Sequence, residues 1–376
     1  MWNRSTGISK VLLVFPIVVS VSFFLLLVEY LYHQPYSMEW YQYPFLAKAQ
    51  VINEQNYSNS IHNNTLSNIK SITANSTPPL LIDPNVTYFT MKGYSAIQEF
   101  KYDEAIRYYE KALILESNNP NALSGKAYAL SKLNRYEDAI NYYDMALFIQ
   151  PTNLTLLYLK ANILPYLGKY NEAIELYDKI LLIEPENIDV LFNKGFDLGQ
   201  MARYNEAITV YDKALSINND DIGILYHKGI ALNNLGKYDE SVDTYNKILS
   251  LNTDFEINIE ALQGKAIGLF GLERYAEAIT VYDKILSFVP NMVNANISKG
   301  EALLKLGKYN EAITVYDRIL EIYPNEIRTL NGKGEALLKL GKYNEALTFI
   351  DKALAIEPND ANALKNKKQV LKILDK

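Results

Sequence analysis

A lysine and a glutamate recur together along the chain in a motif that could carry acid–base chemistry. At residues 168–174 the motif reads GKYNEAI, with Lys169 and Glu172 three positions apart. The motif returns unchanged at residues 307–313 and with one change at residues 341–347. A paired amine and carboxylate can exchange protons with a substrate when their pKa values are suitably shifted. The motif is therefore either a repeated catalytic site or a structural motif that stabilises helix ends and helix packing.

The regular spacing of the motif favours the second interpretation. Its tyrosine occurs at Tyr102, Tyr136, Tyr170, Tyr204, Tyr238, Tyr275, Tyr309 and Tyr343. The spacing is constant, except for a step between Tyr238 and Tyr275 that is longer by three positions. Each tyrosine follows a Lys or Arg and precedes an acid by two positions, charges that suit the end of one helix and the start of the next. Eight copies of one catalytic site would be hard to justify, so we predict no catalytic residue.

Each period of the chain contains two amphipathic helical patterns separated by a short turn. In residues 188–221, Leu191 and Gly195 occupy the first pattern, and Ala207 and Tyr211 occupy the second. Small residues at Gly195 and Ala207 would let the two helices approach closely. This pattern resembles the tetratricopeptide repeat (TPR), a helix–turn–helix unit of about 34 residues.

The resemblance covers residues 86–360 and implies an all-α fold. The expected fold is a right-handed TPR solenoid of eight helix–turn–helix repeats, preceded by one transmembrane helix. The units are 86–119, 120–153, 154–187, 188–221, 222–255 with a three-residue insertion after it, 259–292, 293–326 and 327–360. Residues 361–376 are expected to form a cap helix, with Leu364, Val370, Leu371 and Leu374 on its apolar face.

The segment before the repeats predicts a membrane anchor. Residues 11–28 read VLLVFPIVVSVSFFLLLV, which contains no charge and would span about 27 Å as a helix. Arg4 and Lys10 precede this stretch, so the positive-inside rule places residues 1–10 in the cytoplasm and the repeats outside. We therefore expect a single-pass protein anchored through residues 11–32. A cleaved signal peptide, which would give a secreted protein, and a buried soluble helix remain alternatives.

Residues 33–85 form an Asn-, Ser- and Thr-rich spacer in this interpretation. The spacer holds four N-x-[ST] sequons, which are candidate glycosylation sites in an extracytoplasmic segment. The four asparagines are Asn56, Asn63, Asn75 and Asn85. Two further sequons occur in the repeats, at Asn153 and Asn296.

The composition argues against several classes of function. The net charge of −6 and the isoelectric point near 5.4 disfavour nucleic acid as a partner. The chain has no cysteine and three scattered histidines, so we predict no metal site. No phosphate-binding loop or hydrolase motif is present in the sequence. We therefore predict that the chain is not an enzyme and has no cofactor.

The TPR resemblance implies where a partner would bind. In that family the inner faces of the first helices line a concave groove that holds a peptide or protein segment. The inward positions of units 3 to 5 predict an aromatic patch with an amide rim. Its candidate residues are Tyr158, Asn162, Tyr166, Phe192, Phe196, Gln200, Tyr226 and Asn234. In units 7 and 8 the same positions are charged.

The sequence thus predicts a membrane-anchored scaffold that binds a protein or peptide in its groove. One alternative is a non-catalytic platform subunit of a cell-surface complex that modifies glycans or proteins. Another is self-association of the array as a structural surface component.

Three irregularities give further expectations. Every unit has a lysine before the small residue of its first helix, and seven have an acid after the second tyrosine position. This predicts ion pairs between the two helices of each unit. Because the acid position of unit 5 holds Asn246, Lys228 should be unpaired or find another acid. Pro165 should kink a first helix. The insertion at residues 252–258 should alter the stacking between units 5 and 6.

Overall fold

The structure is a computed structural model, and it describes residues 83–251 and 254–374. This part of the chain is all-helical, with 17 α-helices, a 3₁₀ turn and no strand. The helices form eight consecutive pairs, in which we name the first member A and the second B, followed by one final helix. Each helix packs against the next in chain order, which produces a helical solenoid. The all-α repeat architecture predicted from the sequence is confirmed.

The helix bounds follow the repeat. The A helices are α1 Pro84–Gln98, α3 Pro120–Lys132, α5 Leu154–Ile163, α7 Ile188–Gln200, α9 Ile222–Asn234, α11 Phe255–Gly271, α13 Val293–Lys305 and α15 Ile327–Lys339. The B helices are α2 Tyr102–Leu115, α4 Tyr136–Ile149, α6 Tyr170–Leu181, α8 Tyr204–Ile217, α10 Tyr238–Ser250, α12 Tyr275–Phe288, α14 Tyr309–Ile322 and α16 Tyr343–Ile356. The final helix is α17 Ala361–Leu374.

Side-chain caps start several A helices. Asn119, Asn153, Asn187 and Asp221 each accept a hydrogen bond of 3.0–3.2 Å from the backbone N–H three residues later. A cap of this kind satisfies one of the unpaired N–H groups of the first turn and contributes about 1 kcal/mol. In these four units, the polar residue that precedes the apolar pattern therefore fixes where helix A begins.

Each turn from helix A to helix B contains one residue in the left-handed region. The φ angles of these eight residues lie between +56° and +76°. Four units use glycine, at Gly168, Gly236, Gly307 and Gly341, and four use Phe100, Asn134, Ala202 and Glu273. A residue with a Cβ costs about 1–2 kcal/mol in this conformation, although asparagine tolerates it better. Backbone strain is therefore distributed unevenly among the units.

Replacing Ala202 with glycine is expected to stabilise the array by about 0.5–1 kcal/mol. The change relieves the left-handed strain, while the added freedom of the unfolded chain offsets part of the gain. Urea denaturation followed by circular dichroism measures the shift in midpoint. The reverse change one unit later, Gly236→Ala, is the matched control and should destabilise. A lower midpoint for Ala202→Gly would contradict the strain assignment.

The charged residues of the recurrent motif differ slightly from the prediction. The cation lies directly before helix B rather than in the last turn of helix A, as Arg203 does before α8. In seven units it pairs with the acid three residues later, for example Arg203 with Glu206 at 2.7 Å. Both partners are exposed, so these pairs add little to stability. Their position in a solvated turn agrees with the structural interpretation of the motif.

The second tyrosine of each unit forms much of the core. Tyr143, Tyr177, Tyr211, Tyr245 and Tyr316 are among the largest fully buried side chains. Tyr109, Tyr245 and Tyr316 each contact a glycine of their own A helix and a glycine of the next A helix. The small residues thus let three helices close around one aromatic ring.

The predicted lysine–acid pairs are present, but they join neighbouring units. The pairs are Lys126–Glu110, Lys160–Asp144, Lys194–Asp178, Lys228–Asp212, Lys299–Asp283, Lys333–Asp317 and Lys367–Asp351. Each lysine lies on an A helix or on α17, and each acid lies on the B helix before it. The assignment to pairs within one unit was wrong, because helix A packs against the preceding B helix as well as its own. Lys228, expected to be unpaired or to find another acid, pairs with Asp212 at 2.5 Å.

The series of lysine–acid pairs, which we call the lysine–acid ladder, is interrupted between units 5 and 6. The position that would hold the acid for Lys265 is occupied by Asn246, and the described residues contain no ion pair for Lys265. Asn246→Asp is expected to complete the link and stabilise the array by about 0.5 kcal/mol, with less gain at high salt. Denaturation at low and high salt measures the effect. In a Lys265→Met background, the same substitution should give no gain. An equal gain in both backgrounds would show that Lys265 is not the partner.

The A helices form the inner layer of the solenoid. Most consecutive A helices contact each other, for example α9 with α11 and α13 with α15. Among the described residues, consecutive B helices make no contact of comparable extent. The A helices are thus closer together than the B helices, which places them on the inside of the curve.

Pro165 and the insertion both change an A helix. Helix α5 stops at Ile163, and the chain continues as the 3₁₀ turn Leu164–Leu167, so the predicted interruption at Pro165 is present. The insertion lengthens α11, which begins at Phe255 and has 17 residues, whereas α9 has 13.

The final helix differs from the predicted cap. Val370 is buried, as expected, together with Ala363. Leu364, Leu371 and Leu374 remain largely exposed, because the buried face of α17 is centred on the small Ala363 rather than on the leucines. The expected four-residue apolar face is therefore wrong at three positions.

Within the described residues, no helix has the length and apolar character needed to cross a bilayer. The predicted anchor at residues 11–32 lies outside these residues, as do Asn56, Asn63 and Asn75 of the spacer. Asn85 is described, and it lies in the first turn of α1 rather than in a spacer.

Candidate partner-binding face

The structure does not bring the eight predicted groove residues together into one site. Two of them join a polar network, two form an aromatic cluster, and the others lie elsewhere. Tyr158 and Asn162 of α5 join a polar network, whereas Phe192 and Phe196 of α7 form an aromatic cluster with α9. Tyr226 lies beside the second group. Tyr166, Gln200 and Asn234 are exposed at the ends of the A helices or in the turns after them.

A hydrogen-bonded network fills the contact between units 3 and 4. The Nδ2 of Asn193 donates to Tyr158 Oη at 2.6 Å and to Asn162 Oδ1 at 3.2 Å. The hydroxyl of Tyr177 donates to the same Asn162 oxygen at 2.8 Å. Buried polar groups need such partners, and this network provides them at the junction of α5, α6 and α7. Asn162 thus has a structural role, and Asn193 is a member of the site that the sequence prediction missed.

The aromatic cluster lies on the inner face of units 4 and 5. Phe192 and Phe196 are half-buried and sit one turn apart on α7. Both rings meet His227 of α9 at 5.3 Å between centroids, in edge-on geometry. The aromatic ring of Tyr226 meets His227 at 5.5 Å. We call Phe192, Phe196 and His227 the inner aromatic cluster.

Two predicted residues do not lie open to a partner. Tyr158 is 3% exposed and Tyr226 is 5% exposed, so both are corrected from groove-lining residues to core residues. Their rings turn towards Tyr177 and Tyr245, the buried tyrosines of the adjacent B helices. A large side chain at this repeat position can thus fill the space between helices instead of lining a groove.

Tyr166 lies apart from the inner aromatic cluster. It is more than half exposed in the 3₁₀ turn and stacks on Tyr136 with 4.6 Å between ring centroids. Because Pro165 ends α5 early, Tyr166 no longer continues the inner face of that helix. Of the predicted groove residues, Phe192 and Phe196 thus remain partly exposed on the inner face, with the exposed Gln200 and Asn234 at the helix ends.

His227 is buried among aromatic rings and is held uncharged. It is 6% exposed, and burial lowers the pKa of its imidazole to about 4. At neutral pH this ring therefore packs as a neutral aromatic group beside Phe192 and Phe196. No strong sequence signal pointed to this role, since the corresponding repeat position varies from unit to unit.

Among the described residues, no group of acidic, His or Cys side chains could hold a metal ion.

Asp197 is a second buried titratable group on α7. It is 3% exposed, its Oδ2 has no hydrogen-bond partner in the described residues, and burial raises the pKa of its carboxyl to about 7. Six other units have alanine, glycine or serine there, and unit 3 has isoleucine. Those residues are Ser95, Ala129, Ile163, Ala231, Gly268, Ala302 and Ala336. Asp197 is thus a polar exception at a packing position.

The inner face changes character in units 7 and 8. Arg328 pairs with Glu301 at 3.0 Å, and Asn331 donates to Asp360 at 2.9 Å. These contacts pair Arg328 and the Nδ2 of Asn331 within the array, whereas the buried Oδ1 of Asn331 has no hydrogen-bond partner among the described residues. The inner face of units 7 and 8 is therefore charged and polar, unlike that of units 4 and 5.

The two sequons within the repeats take part in packing. Asn153 caps α5 and donates to Gln150 at 2.9 Å. Asn296 is buried, and its Nδ2 donates to the carbonyls of Pro290 and Met292, each at 3.0 Å. Neither amide is free to accept a glycan in the folded array. Asn85 is exposed on α1.

Parts of the chain match known sequence families. The family described as "Anaphase-promoting complex, cyclosome, subunit 3" matches residues 98–180 and 272–353. The families described as "TPR repeat" and "Tetratricopeptide repeat" match residues 196–236 and 222–255. Comparison with curated proteins gave no match.

Solved structures of MamA resemble part of the chain. A crystal structure of MamA protein is 22% identical with a TM-score of 0.42, and the match covers 44% of this chain and 91% of that one. MamA 41-end from Desulfovibrio magneticus RS-1 is 18% identical with a TM-score of 0.44, and the match covers 45% of this chain and 96% of that one. The two TPR families match within residues 196–255, and the described residues form eight helix pairs, so this chain belongs to the tetratricopeptide repeat proteins.

Proposed function

We propose that this chain is a membrane-anchored scaffold that holds a segment of a partner protein against the inner face of units 4 and 5. TPR arrays bind proteins and peptides, and the family membership supports that general role. The observation that carries the specific proposal is the inner aromatic cluster. It combines two half-buried phenylalanine rings with a neutral histidine on the inside of the curve.

The chemistry of this face suits an apolar segment. Phe192 and Phe196 lie four positions apart and offer adjacent ring surfaces, while the amides of Gln200 and Asn234 lie at the helix ends. An aromatic centre with a polar rim is the usual arrangement of a protein-binding surface. A partner helix or extended segment with apolar side chains at matching intervals would bury these rings.

Phe196→Glu tests this assignment. The substitution places a carboxylate in the centre of the aromatic surface, and we expect at least about tenfold weaker binding, since burying an unpaired charge is costly. Proteins that copurify with the full chain are compared between the wild type, Phe196→Glu and Thr209→Glu. Thr209 is exposed on α8, so Thr209→Glu is a matched control on the outer layer. Equal loss in both variants, or loss in neither, would overturn the groove proposal.

Anchoring through residues 11–32, with the repeats outside the cytoplasm, forms the second half of the proposal. Its support is the uncharged sequence of residues 11–28 and the cations that precede it. Because the chain has no cysteine, Ser5→Cys and Ser60→Cys each give one labelling site on either side of this stretch. In intact cells an impermeant maleimide should label the cysteine at position 60 and not that at position 5. Labelling in the opposite order would reverse the topology, and no labelling at either position until lysis would contradict it.

A further inference from the structure

An apolar ridge runs along one edge of the first three units. Ile114, Phe148 and Leu182 occupy the same repeat position, at the C-terminal end of helix B or directly after it. Their exposed fractions of 82%, 91% and 85% are the highest among the large apolar side chains that the structure describes. Equivalent positions of successive repeats lie along the same edge of a solenoid. The three side chains therefore share one edge of units 1 to 3, and we call them the apolar ridge.

The apolar ridge ends sharply after unit 3. The same repeat position holds Ser216, Ser250, Ser287, Glu321 and Ala355 in units 4 to 8. The next position is apolar in all eight units and is partly exposed in each of them, so it does not distinguish one unit from another. The more exposed position before it is what separates the first three units from the rest. Packing requirements of the repeat cannot explain the ridge, because five units omit it.

The ridge is too small for a stable interface on its own. Three side chains of this size expose roughly 500 Å² of apolar surface, whereas a standard protein interface buries about 800 Å² on each partner. Weak contacts of this size become effective when the two surfaces are tethered, because tethering raises their effective concentration. A tether is therefore part of any role for the ridge.

The sequence provides such a tether. Residues 29–82 lie between the apolar stretch and the first described residue, Asp83. A coil of that length would have a typical reach of about 40 Å. Units 1 to 3 come first in the chain after it, so they are the repeats with the shortest chain connection to an anchor at residues 11–32.

We propose that the apolar ridge inserts into the interfacial region of the bilayer that holds the anchor. The proposal rests on the anchoring proposed above and adds a second membrane contact made by the folded repeats. Apolar side chains at a membrane surface enter about 5–10 Å, to the boundary between headgroups and acyl chains. Docking along the ridge would fix the orientation of the array and leave its inner face open to a partner.

The charged residues around the apolar ridge are compatible with a membrane surface of zwitterionic lipid. Lys111 and Lys179 lie one turn before Ile114 and Leu182, and Glu116 and Glu184 lie two positions after them. The two glutamates accept hydrogen bonds from Asn119 and Asn187 at 3.0 and 2.8 Å. Cations and anions are balanced, so anionic lipid is not required. Phosphatidylcholine vesicles are therefore the appropriate probe.

Single-cysteine labelling tests the proposal on the full chain. Phe148→Cys carries an environment-sensitive fluorophore at the ridge, and Ser216→Cys carries it at the same repeat position in unit 4. Ser20→Cys reports the anchor. Each labelled protein is reconstituted into phosphatidylcholine vesicles with and without nitroxide-bearing lipid. Quenching at position 148 should exceed quenching at 216 about threefold, since only the ridge enters the lipid.

The outcomes separate the ridge from the anchor. Strong quenching at 20 with equal quenching at 148 and 216 would overturn the ridge proposal and leave the anchor standing. Absence of quenching at 20 would overturn both. A blue shift at 148 without lipid quenching would show a protein contact, such as a second copy of this chain, in place of lipid. Adding Ile114→Ser and Leu182→Ser to Phe148→Cys should reduce its quenching to the level at 216, and undiminished quenching would contradict a shared ridge.

Discussion

Asp197→Asn is expected to raise the stability of the array at pH 8 by up to about 4 kcal/mol. Burial raises the pKa of the Asp197 carboxyl from 3.8 to about 7, and a pKa difference of one corresponds to about 1.4 kcal/mol. Below pH 4 the carboxyl is protonated in both folded and unfolded chains and carries no penalty. As pH rises from 4 to 7, the unfolded chain loses its proton first, so the folded state loses stability. Above pH 7 the penalty is complete.

His227 has the opposite dependence. Burial lowers the pKa of its imidazole from 6.5 to about 4, so the unfolded chain binds the proton more readily below pH 6.5. Stability contributed by this site therefore falls as pH decreases from 6.5 to 4, by about 3 kcal/mol. Between pH 4 and 6.5 the effects of Asp197 and His227 oppose each other. The native chain should show a flatter profile in this range than either single variant.

Urea denaturation between pH 4 and 8 tests both assignments. Asp197→Asn should remove the aspartate effect, so that only the histidine effect remains and stability rises with pH from 4 to 6.5. His227→Phe should remove the histidine effect, so that only the aspartate effect remains and stability falls with pH from 4 to 7. The exposed Glu175, changed to glutamine, is the control and should keep the native profile. Parallel profiles for all four proteins would show that neither buried group titrates as described.

Gly264→Ala is expected to destabilise the array by about 3 kcal/mol. A Cβ at Gly264 of α11 would lie 2.1 Å from Cζ of Tyr245, a separation that atoms do not reach. The ring cannot retreat, because it is fully buried and its other side contacts Gly229 of α9. Overpacking of this kind typically costs about 1–3 kcal/mol.

A matched glycine and a compensating change make this prediction specific. At Gly199 of α7 an added Cβ meets nothing within 4 Å, so Gly199→Ala should stabilise the helix by about 0.5–1 kcal/mol. Tyr245→Ile should relieve much of the Gly264→Ala penalty, since unit 8 already packs Ile350 against Gly334. Thermal and urea denaturation of the three proteins provide the comparison. A neutral Gly264→Ala would show that the ring has room to move.

The repeat architecture was predictable because each local signal is repeated. The spacing of the motif tyrosines located the turns, and the structure adds that residues such as Asn119 and Asn187 cap the starts of A helices. One ambiguous signal matters little when eight copies agree. The sequence could not assign the lysine–acid ladder to the correct pair of units, because Lys228 lies at nearly equal separations from Asp212 and Asn246. Only the packing of each A helix on the preceding B helix decides between them.

The candidate binding face was harder to predict than the fold. The inward repeat positions selected Phe192 and Phe196, which are partly exposed, but they also selected Tyr158 and Tyr226, which are buried. The position of a residue in the repeat indicates which way its side chain points. It does not indicate how far neighbouring side chains bury it. His227 and Asp197 were missed because burial, rather than residue type, determines their properties. The apolar ridge was missed because its residues belong to no family motif.

The role proposed for the inner face depends on one contact, between a partner segment and the inner aromatic cluster. A photoreactive phenylalanine analogue placed at position 196 of the full chain in intact cells tests this contact most directly, with the analogue at position 209 on the outer layer as control. We expect a discrete crosslinked adduct from position 196, absent from position 209 and abolished by adding Phe192→Glu. An adduct from position 209 with none from position 196, or an adduct from 196 that survives Phe192→Glu unchanged, would contradict the contact.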